Sequence, residues 1–201
     1  ENLLIPVIKF LKIPVILTYH ADHVITIGRM LDEFQNITFF RFVNLIMVQT
    51  ERDFKKMREW GIDKSKLRFM YFNGIDHVLY KCNTEKEFNG TIKILFIGRL
   101  DNSHKYKGFD QLINIIDYFN SKSTIRPMEI FAIGDGDLKN YYQSECNRRG
   151  ISNIHFLGNL DFNELHNKLC ESHFLILPSI NKAEGFGRVA LEAIASGTPP
   201  I

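Results

Sequence analysis

The sequence predicts an α/β protein built on parallel β-sheets, and three observations carry that prediction. Short, continuously apolar runs alternate with helix-periodic segments almost from end to end. The runs are apolar at consecutive positions rather than alternating, the pattern of strands covered on both faces by helices. Glycines stop several of the helical segments where the periodicity ends. No repeat of solenoid length, low-complexity tract or heptad run interrupts the alternation.

In the first half, residues 13–18 read as a buried strand and residues 24–34 as a helix. Residues 45–49 form a second strand, and 51–60 a helix stopped by Gly61. Residues 67–71 are a third strand, followed by Asn73-Gly74-Ile75-Asp76. A polar segment with weak periodicity, from Cys82 to Gly90, marks a junction. The expected division is therefore a first domain over 1–76, a linker over 77–90 and a second domain over 91–201.

The second domain repeats the alternation more cleanly. Strands are predicted over 92–97, 128–133, 154–157 and 174–177. Helices are predicted over 109–119, 138–149 (ended by Gly150), 162–170 (capped by Asp161) and 186–195 (ended by Gly197).

At 201 residues and 45% hydrophobic, the chain can bury one or two ordinary cores. A net charge of +2 gives no electrostatic reason to expect nucleic acid or an acidic partner. Cys82, Cys146 and Cys170 lie far apart without a CxxC, so free thiols in a reducing, cytoplasmic compartment are expected. The sequons at Asn36 and Asn89 are then incidental. The apolar opening of residues 3–17 is broken by Pro6, Lys9, Lys12 and Pro14. A membrane-spanning helix needs about 20 uninterrupted apolar residues, so a short helix and a strand are expected there instead. The chain starts at Glu1 and stops at Pro199-Pro200-Ile201, where a strand would begin, which reads as a piece of a longer protein.

The most informative motif runs from Glu184 to Ile194: two carboxylates, Glu184 and Glu192, bracket a glycine-bearing loop that enters the last helix. Glu192 falls about one and a half turns into that helix. The backbone N–H groups of Gly185, Phe186, Gly187 and Arg188 are its unpaired donors, at the positive end of the helix dipole. Such a helix start suits a phosphate. Carboxylates repel a phosphate but accept hydrogen bonds from neutral hydroxyls. Two acids around a phosphate cradle therefore point to a sugar on one side of a diphosphate and a ribose on the other.

Gly98-Arg99-Leu100 closes the first strand of the second domain, with Lys105, Lys107 and Gly108 following. Ligands of parallel sheets bind beyond the carboxyl ends of strands, so Arg99 and Lys107 are placed to clamp a diphosphate. Gly134-Asp135-Gly136 ends another strand. It lacks the GxGxxG form and a suitably spaced acid, which excludes a nicotinamide fingerprint; structural and ligand-lining roles remain equally open. In Thr18-Tyr19-His20-Ala21-Asp22-His23 the two histidines have no partners at metal-ligand spacing. His20 is instead a candidate donor into a crevice between the two domains. His23, His77, His104, His155, His166 and His173 are taken as structural.

In combination and order these residues resemble the family 4 retaining glycosyltransferases of GT-B fold. The strongest element is Glu184 to Glu192 with Ala193-Ile194-Ala195-Ser196-Gly197-Thr198-Pro199 after it. Gly98-Arg99-Leu100, Lys107-Gly108, Gly134-Asp135-Gly136, Phe156-Leu157-Gly158 and Leu177-Pro178-Ser179 fit as well. Thr18-Tyr19-His20 and Asn73-Gly74-Ile75-Asp76 resemble the family's inter-domain histidine segment and crossover linker.

The resemblance implies two Rossmann-like domains, the first partial and the second incomplete at its end, with the donor nucleotide-sugar held mainly by the second. Glu192 would hold the ribose, and Glu184 with Gly185 and Phe186 would face the donor sugar. Arg99 and Lys107 would neutralise the departing diphosphate, and His20 would reach the sugar from the other domain. Gly187, Arg188, Gly98, Gly134 and Leu160 complete the expected donor-binding set. No cofactor or metal is implied beyond a UDP-, GDP- or ADP-sugar donor, with a glycan, lipid-linked or small-molecule acceptor. Peripheral attachment to the inner face of a membrane stays open. Arg188 departs from the family pattern by adding a charge, and the family's early glycine-rich loop is absent. A GT-B nucleotide-binding module without turnover and a nucleotide-sugar epimerase are the alternatives.

Overall fold

The computed structural model describes residues 14–19, 40, 42–70, 74–83, 86–88, 90–122, 126–180 and 187–201. The chain divides into two compact units, Glu1–Gly74 and Ile75–Ile201. Among the described residues, no helix is long and apolar enough to cross a membrane.

The first unit holds three parallel strands, β1 (Ile16–Tyr19), β2 (Leu45–Val48) and β3 (Leu67–Phe69), in that spatial order. β2 is apolar at every position because it is the middle strand, and Ile46 and Val48 are fully buried. β1 corrects the expectation of a buried strand. It pairs with β2 alone among the described strands, so its side chains alternate between exposed and half-buried. Helix α1 (Glu51–Glu59) starts where the Thr50 hydroxyl accepts the Asp53 amide at 3.1 Å. Its first turn carries Glu51 and Asp53 and its last Lys56 and Arg58, as the helix dipole favours. The predicted helix over 24–34 lies outside the described residues.

The second unit is a four-stranded parallel sheet: β4 (Ile92–Ile97), β5 (Met128–Ile133), β6 (Ile154–Gly158) and β7 (Phe174–Leu175). Between them run α2 (Phe109–Asn120), α3 (Lys139–Arg148) and α4 (Phe162–Glu171), and α5 (Arg188–Ala195) follows β7. The spatial order is β6-β5-β4-β7. Beyond β7 the chain returns to pair in parallel, Pro200 against Leu175, which agrees with a strand beginning there.

The apolar character of β4, interrupted only at Lys93, follows from this layering. Ile94 and Phe96 point to one face, where Leu112, Ile113 and Ile116 of α2 and Tyr142 and Cys146 of α3 pack. Leu95 points to the other, against Leu169 of α4, Leu175 and Ala193 of α5. Successive residues of a strand face opposite sides, so a strand covered on both must be apolar at consecutive positions. The four-residue strand expected at 174–177 pairs as a strand over two residues only. The capping signal at Asp161 is a full capping box, with Asp161 and Glu164 each accepting the other's backbone amide at 2.9 Å.

Three helices end in the same way. After α1, α3 and α5 a glycine at φ +77°, +68° and +65° (Gly61, Gly150, Gly197) turns the chain. The following amides of Ile62, Ile151 and Thr198 return to the carbonyls of Met57, Cys146 and Ala193 at 3.0, 2.9 and 2.8 Å. Each is a Schellman closure that joins two buried residues across the helix end.

The expectation of three free thiols is overturned. Cys82 and Cys170 form a disulfide across 88 positions, while Cys146 is free and buried. Spacing along the chain concealed the pair because it is the crossover from β6 through α4 that brings Cys170 to Cys82.

Gly150 isolates the backbone term of a Schellman closure, since a Cβ placed there would meet nothing within 4 Å. Gly150→Ala is expected to cost about 1 kcal/mol, measured by urea unfolding, with the folded spectrum unchanged.

Candidate functional site

In the second unit the chain builds β4, β5 and β6 outward in one direction, then crosses back to lay β7 on the other side of β4. This reversal is a topological switch point, and the crevice of an open parallel sheet lies there, beyond the carboxyl ends of the strands. The loops at that edge are 98–108 after β4, 134–138 after β5 and 176–180 after β7. The chain leaves β7 at that edge and returns to pair in parallel at Pro200, so α5 starts at the same edge.

The edge is packed backbone against backbone. A Cβ on Gly134 (φ +131°) would lie 2.0 Å from the Gly98 carbonyl oxygen, and one on Gly108 (φ +74°) 2.0 Å from that of Pro178. The Leu100 amide donates to Asp135 O at 3.0 Å, and the Ile180 amide to Tyr106 O at 2.9 Å. Gly134 thus has a definite packing role: only glycine combines its backbone angle with that proximity.

Arg99 and Lys107 are brought into one loop, as the sequence indicated. Arg99 is largely exposed, and its Nε lies 2.9 Å from Asp101 Oδ2. Asp101 also accepts the His104 amide at 3.0 Å and faces His104 Nδ1 at 2.7 Å. These contacts, the His104 side chain first, hold the Asp101 carboxyl down at about 2. Sequence reasoning missed Asp101, although an aspartate immediately ahead of a short helical turn is a capping signal. Lys107 lays its side chain across Gly98, where a Cβ would lie 2.7 Å from Lys107 Cδ. Its Nζ is 5.7 Å from the centre of the Tyr106 ring.

Helix α5 begins at Arg188, with Gly187 in the left-handed region at φ +66° as its N-cap and no side-chain cap. This trims the expected helix start. The first described amides with no acceptor inside the helix belong to Arg188 and Val189. Glu192 is buried in the second turn, its Oε1 3.9 Å from Arg188 Nη2. Tyr80 donates its hydroxyl to Glu192, and burial first and the Glu192 charge second raise the phenol above its ordinary range. The Tyr80 ring meets Phe162 edge-on at 5.5 Å. Tyr80 stands 112 positions from Glu192 in a segment expected to be linker, and no local signal pointed to it. Leu160 is partly buried against the core cluster of Leu95, Leu169 and Leu175. His20, Glu184, Gly185 and Phe186 lie outside the described residues.

Of the histidines taken as structural, His173 fits that reading. Buried, it accepts the Lys93 amide at Nδ1 (2.8 Å) and donates from Nε2 to Glu87 O (3.0 Å). The His166 ring packs against those of Tyr80 and Phe162, and its Nε2 lies 3.5 Å from Cys170 Sγ.

Two units of parallel sheet, the second with a basic, glycine-packed switch point, define a protein of the GT-B class. The chain belongs to the glycosyl transferases group 1, whose family model matches residues 83–201. It is 32% identical over 165 residues to a Klebsiella pneumoniae protein described as an uncharacterized 41.2 kDa protein in cps region, covering 78% of this chain and 41% of that one. It is 34% identical over 113 residues to an uncharacterized glycosyltransferase of Methanocaldococcus jannaschii, covering 54% of this chain and 26% of that one. The chain thus spans less than half the length of these relatives. Among solved structures, Anabaena HepE in complex with UDP superimposes with a TM-score of 0.77 at 16% identity, over 99% of this chain and 56% of that one. At that identity the likeness is one of fold.

Asp101 sets a pH dependence. Its folded value is below the ordinary 3.8, so the stability it adds is present above that value and is lost as pH falls toward about 2. In urea unfolding, Asp101→Asn is expected to flatten the decline of stability between those two pH values. An unchanged acid limb would remove Asp101 from this role.

Proposed function

We propose that the complete protein is a retaining glycosyltransferase that moves a sugar from a nucleotide-sugar to an acceptor hydroxyl. The observation that carries this reading is the switch-point edge itself: Arg99 and Lys107 on one loop, and α5, with its open N-terminus and buried Glu192, starting at the same edge. A buried carboxylate accepts hydrogen bonds at two oxygens. With Tyr80 and Arg188 supplying part of that demand, Glu192 has acceptor capacity for the two hydroxyls of a ribose.

In this reading Arg99, Lys107 and the α5 amides hold the diphosphate and stabilise its charge as the glycosidic bond breaks. The departing phosphate takes the proton of the acceptor hydroxyl on the same face of the sugar, which retains configuration. Glu184 and His20 contact the sugar, and no protein carboxylate forms a glycosyl-enzyme. UDP is the first donor base to test, because HepE was crystallised with UDP and with UDP-glucose. A glycan or lipid-linked hydroxyl is the acceptor class to test first.

Calorimetry separates these roles. A charged hydrogen bond contributes about 1.5–3 kcal/mol, so Arg99→Ala and Lys107→Ala should each weaken UDP at least roughly tenfold while leaving uridine little changed. Equal losses for UDP and uridine would sink the clamp.

Glu192→Gln should weaken every nucleotide with an intact ribose and affect 2′-deoxy analogues less. Glu184→Gln should spare UDP and reduce sugar transfer by the complete enzyme. Indistinguishable profiles for the two variants would refute the division between ribose and sugar.

A further inference from the structure

The glycosyltransferase reading makes no use of the side chains around Cys82. This sulfur joins Cys170 on α4, and His166 stands one turn earlier on the same helix with Nε2 3.5 Å from Cys170 Sγ. Cys82, Cys170 and His166 hold their reactive atoms within 4.8 Å of one another, and all three are partly open to solvent. Two further observations point to chemistry rather than to a simple staple. Cys82 Sγ lies 3.2 Å from the Ser196 carbonyl oxygen, so a Cys82 thiol would find an acceptor already in place. The residue also lines a surface depression of about 550 Å³ with Lys81, Lys86 and the end of α5 from Ile194 to Gly197.

The lining defines what could enter. Lys86 donates to the Leu169 carbonyl at 2.9 Å and to the Thr198 hydroxyl, and Lys81 is exposed beside it. Burial brings Lys86 down to about 8, which leaves it mostly protonated at neutral pH. A depression with two ammonium groups and one sulfur suits a small anionic thiol. Cys146 serves as an internal reference, since it is buried on the opposite face of the sheet and burial pushes its thiol up to about 11.

We propose that Cys82, Cys170 and His166 form a redox-active site that exchanges with a low-molecular-weight anionic thiol of the glutathione class. The small thiolate attacks Cys82 Sγ from the depression. The Cys82–Cys170 bond breaks, and Cys170 leaves as a thiolate that takes its proton from the His166 imidazolium. A second small thiolate then attacks the sulfur of the first, freeing Cys82, which takes a proton from water and donates to Ser196 O. The protein disulfide gains two electrons and two protons, and two small thiols become one small disulfide. Oxidation is the same sequence reversed, with His166 as the base that makes the Cys170 thiolate.

The test equilibrates the 201-residue chain at pH 7 with graded mixtures of reduced and oxidised glutathione. Free thiols are then blocked with N-ethylmaleimide and located by peptide mass. Cys82 and Cys170 should convert together, any trapped glutathione should sit on Cys82, and Cys146 should stay unblocked throughout. His166→Gln should slow exchange at least about tenfold. Lys81→Gln should slow glutathione while leaving neutral 2-mercaptoethanol unaffected. The proposal is overturned if the disulfide resists every mixture or never forms. It is equally overturned if glutathione attaches to Cys170, if His166→Gln exchanges at the parental rate, or if blocking of Cys146 shows that reduction unfolds the chain. A reduced chain that retains one equivalent of added zinc and then resists oxidation would also overturn it, in favour of a metal site.

Discussion

The second unit depends on the close approach of three turns at the carboxyl edge of its sheet. Gly134 meets the carbonyl of Gly98, and Gly108 meets that of Pro178, each at a distance that no side chain tolerates. These contacts fix the loops after β4, β5 and β7 relative to one another through the backbone. The cationic side chains of the 98–108 loop therefore project from a rigid base. Preorganisation of this kind lowers the cost of gathering charge around a ligand. A methyl group at Gly108 would push apart the two loops that flank the switch point, and one at Gly134 would push apart the loops after β4 and β5.

The sheet's two faces divide the work. The face covered by α2 and α3 is aliphatic and aromatic packing, closed by the salt-bridged end of α3, where Arg148 and Arg149 both engage Glu145 at 2.6 to 2.8 Å. The face covered by α4 and α5 carries the groups with chemistry: Glu192, Tyr80, Lys86 and the Cys82–Cys170 pair. Helix α5 links these groups, since Glu192 lies in its second turn and its last turn contacts Cys82 through Ser196.

Much of this was legible in the sequence, and for identifiable reasons. β4, with six consecutive positions buried or half-buried between two helical layers, is apolar at every position but Lys93, and its predicted bounds match the observed ones. The three glycine stops were readable because αL closure leaves a nearly obligatory residue. β1 was misjudged because apolar content reports burial only for a strand flanked on both sides, and among the described strands β1 pairs with β2 alone. Arg99 and Lys107 could be placed because the strand-end rule depends on local order alone. Asp101, Tyr80 and the disulfide involve side-chain geometry or separations of 88 to 112 positions. No periodicity encodes those.

Asp101 gives Arg99 a tethered counterion. An exposed guanidinium in water normally gathers mobile anions, and a ligand that displaces them binds with a steep dependence on ionic strength. With a carboxylate 2.9 Å away on the same loop, the displaced partner is part of the protein and stays close. A diphosphate arriving at Arg99 would exchange one anion for another, releasing fewer free ions. Leaving would be assisted as well, since the carboxylate stands ready to reclaim the cation. The arrangement trades grip for reversibility, which on the proposed reading would suit a site that discharges a charged product after every cycle.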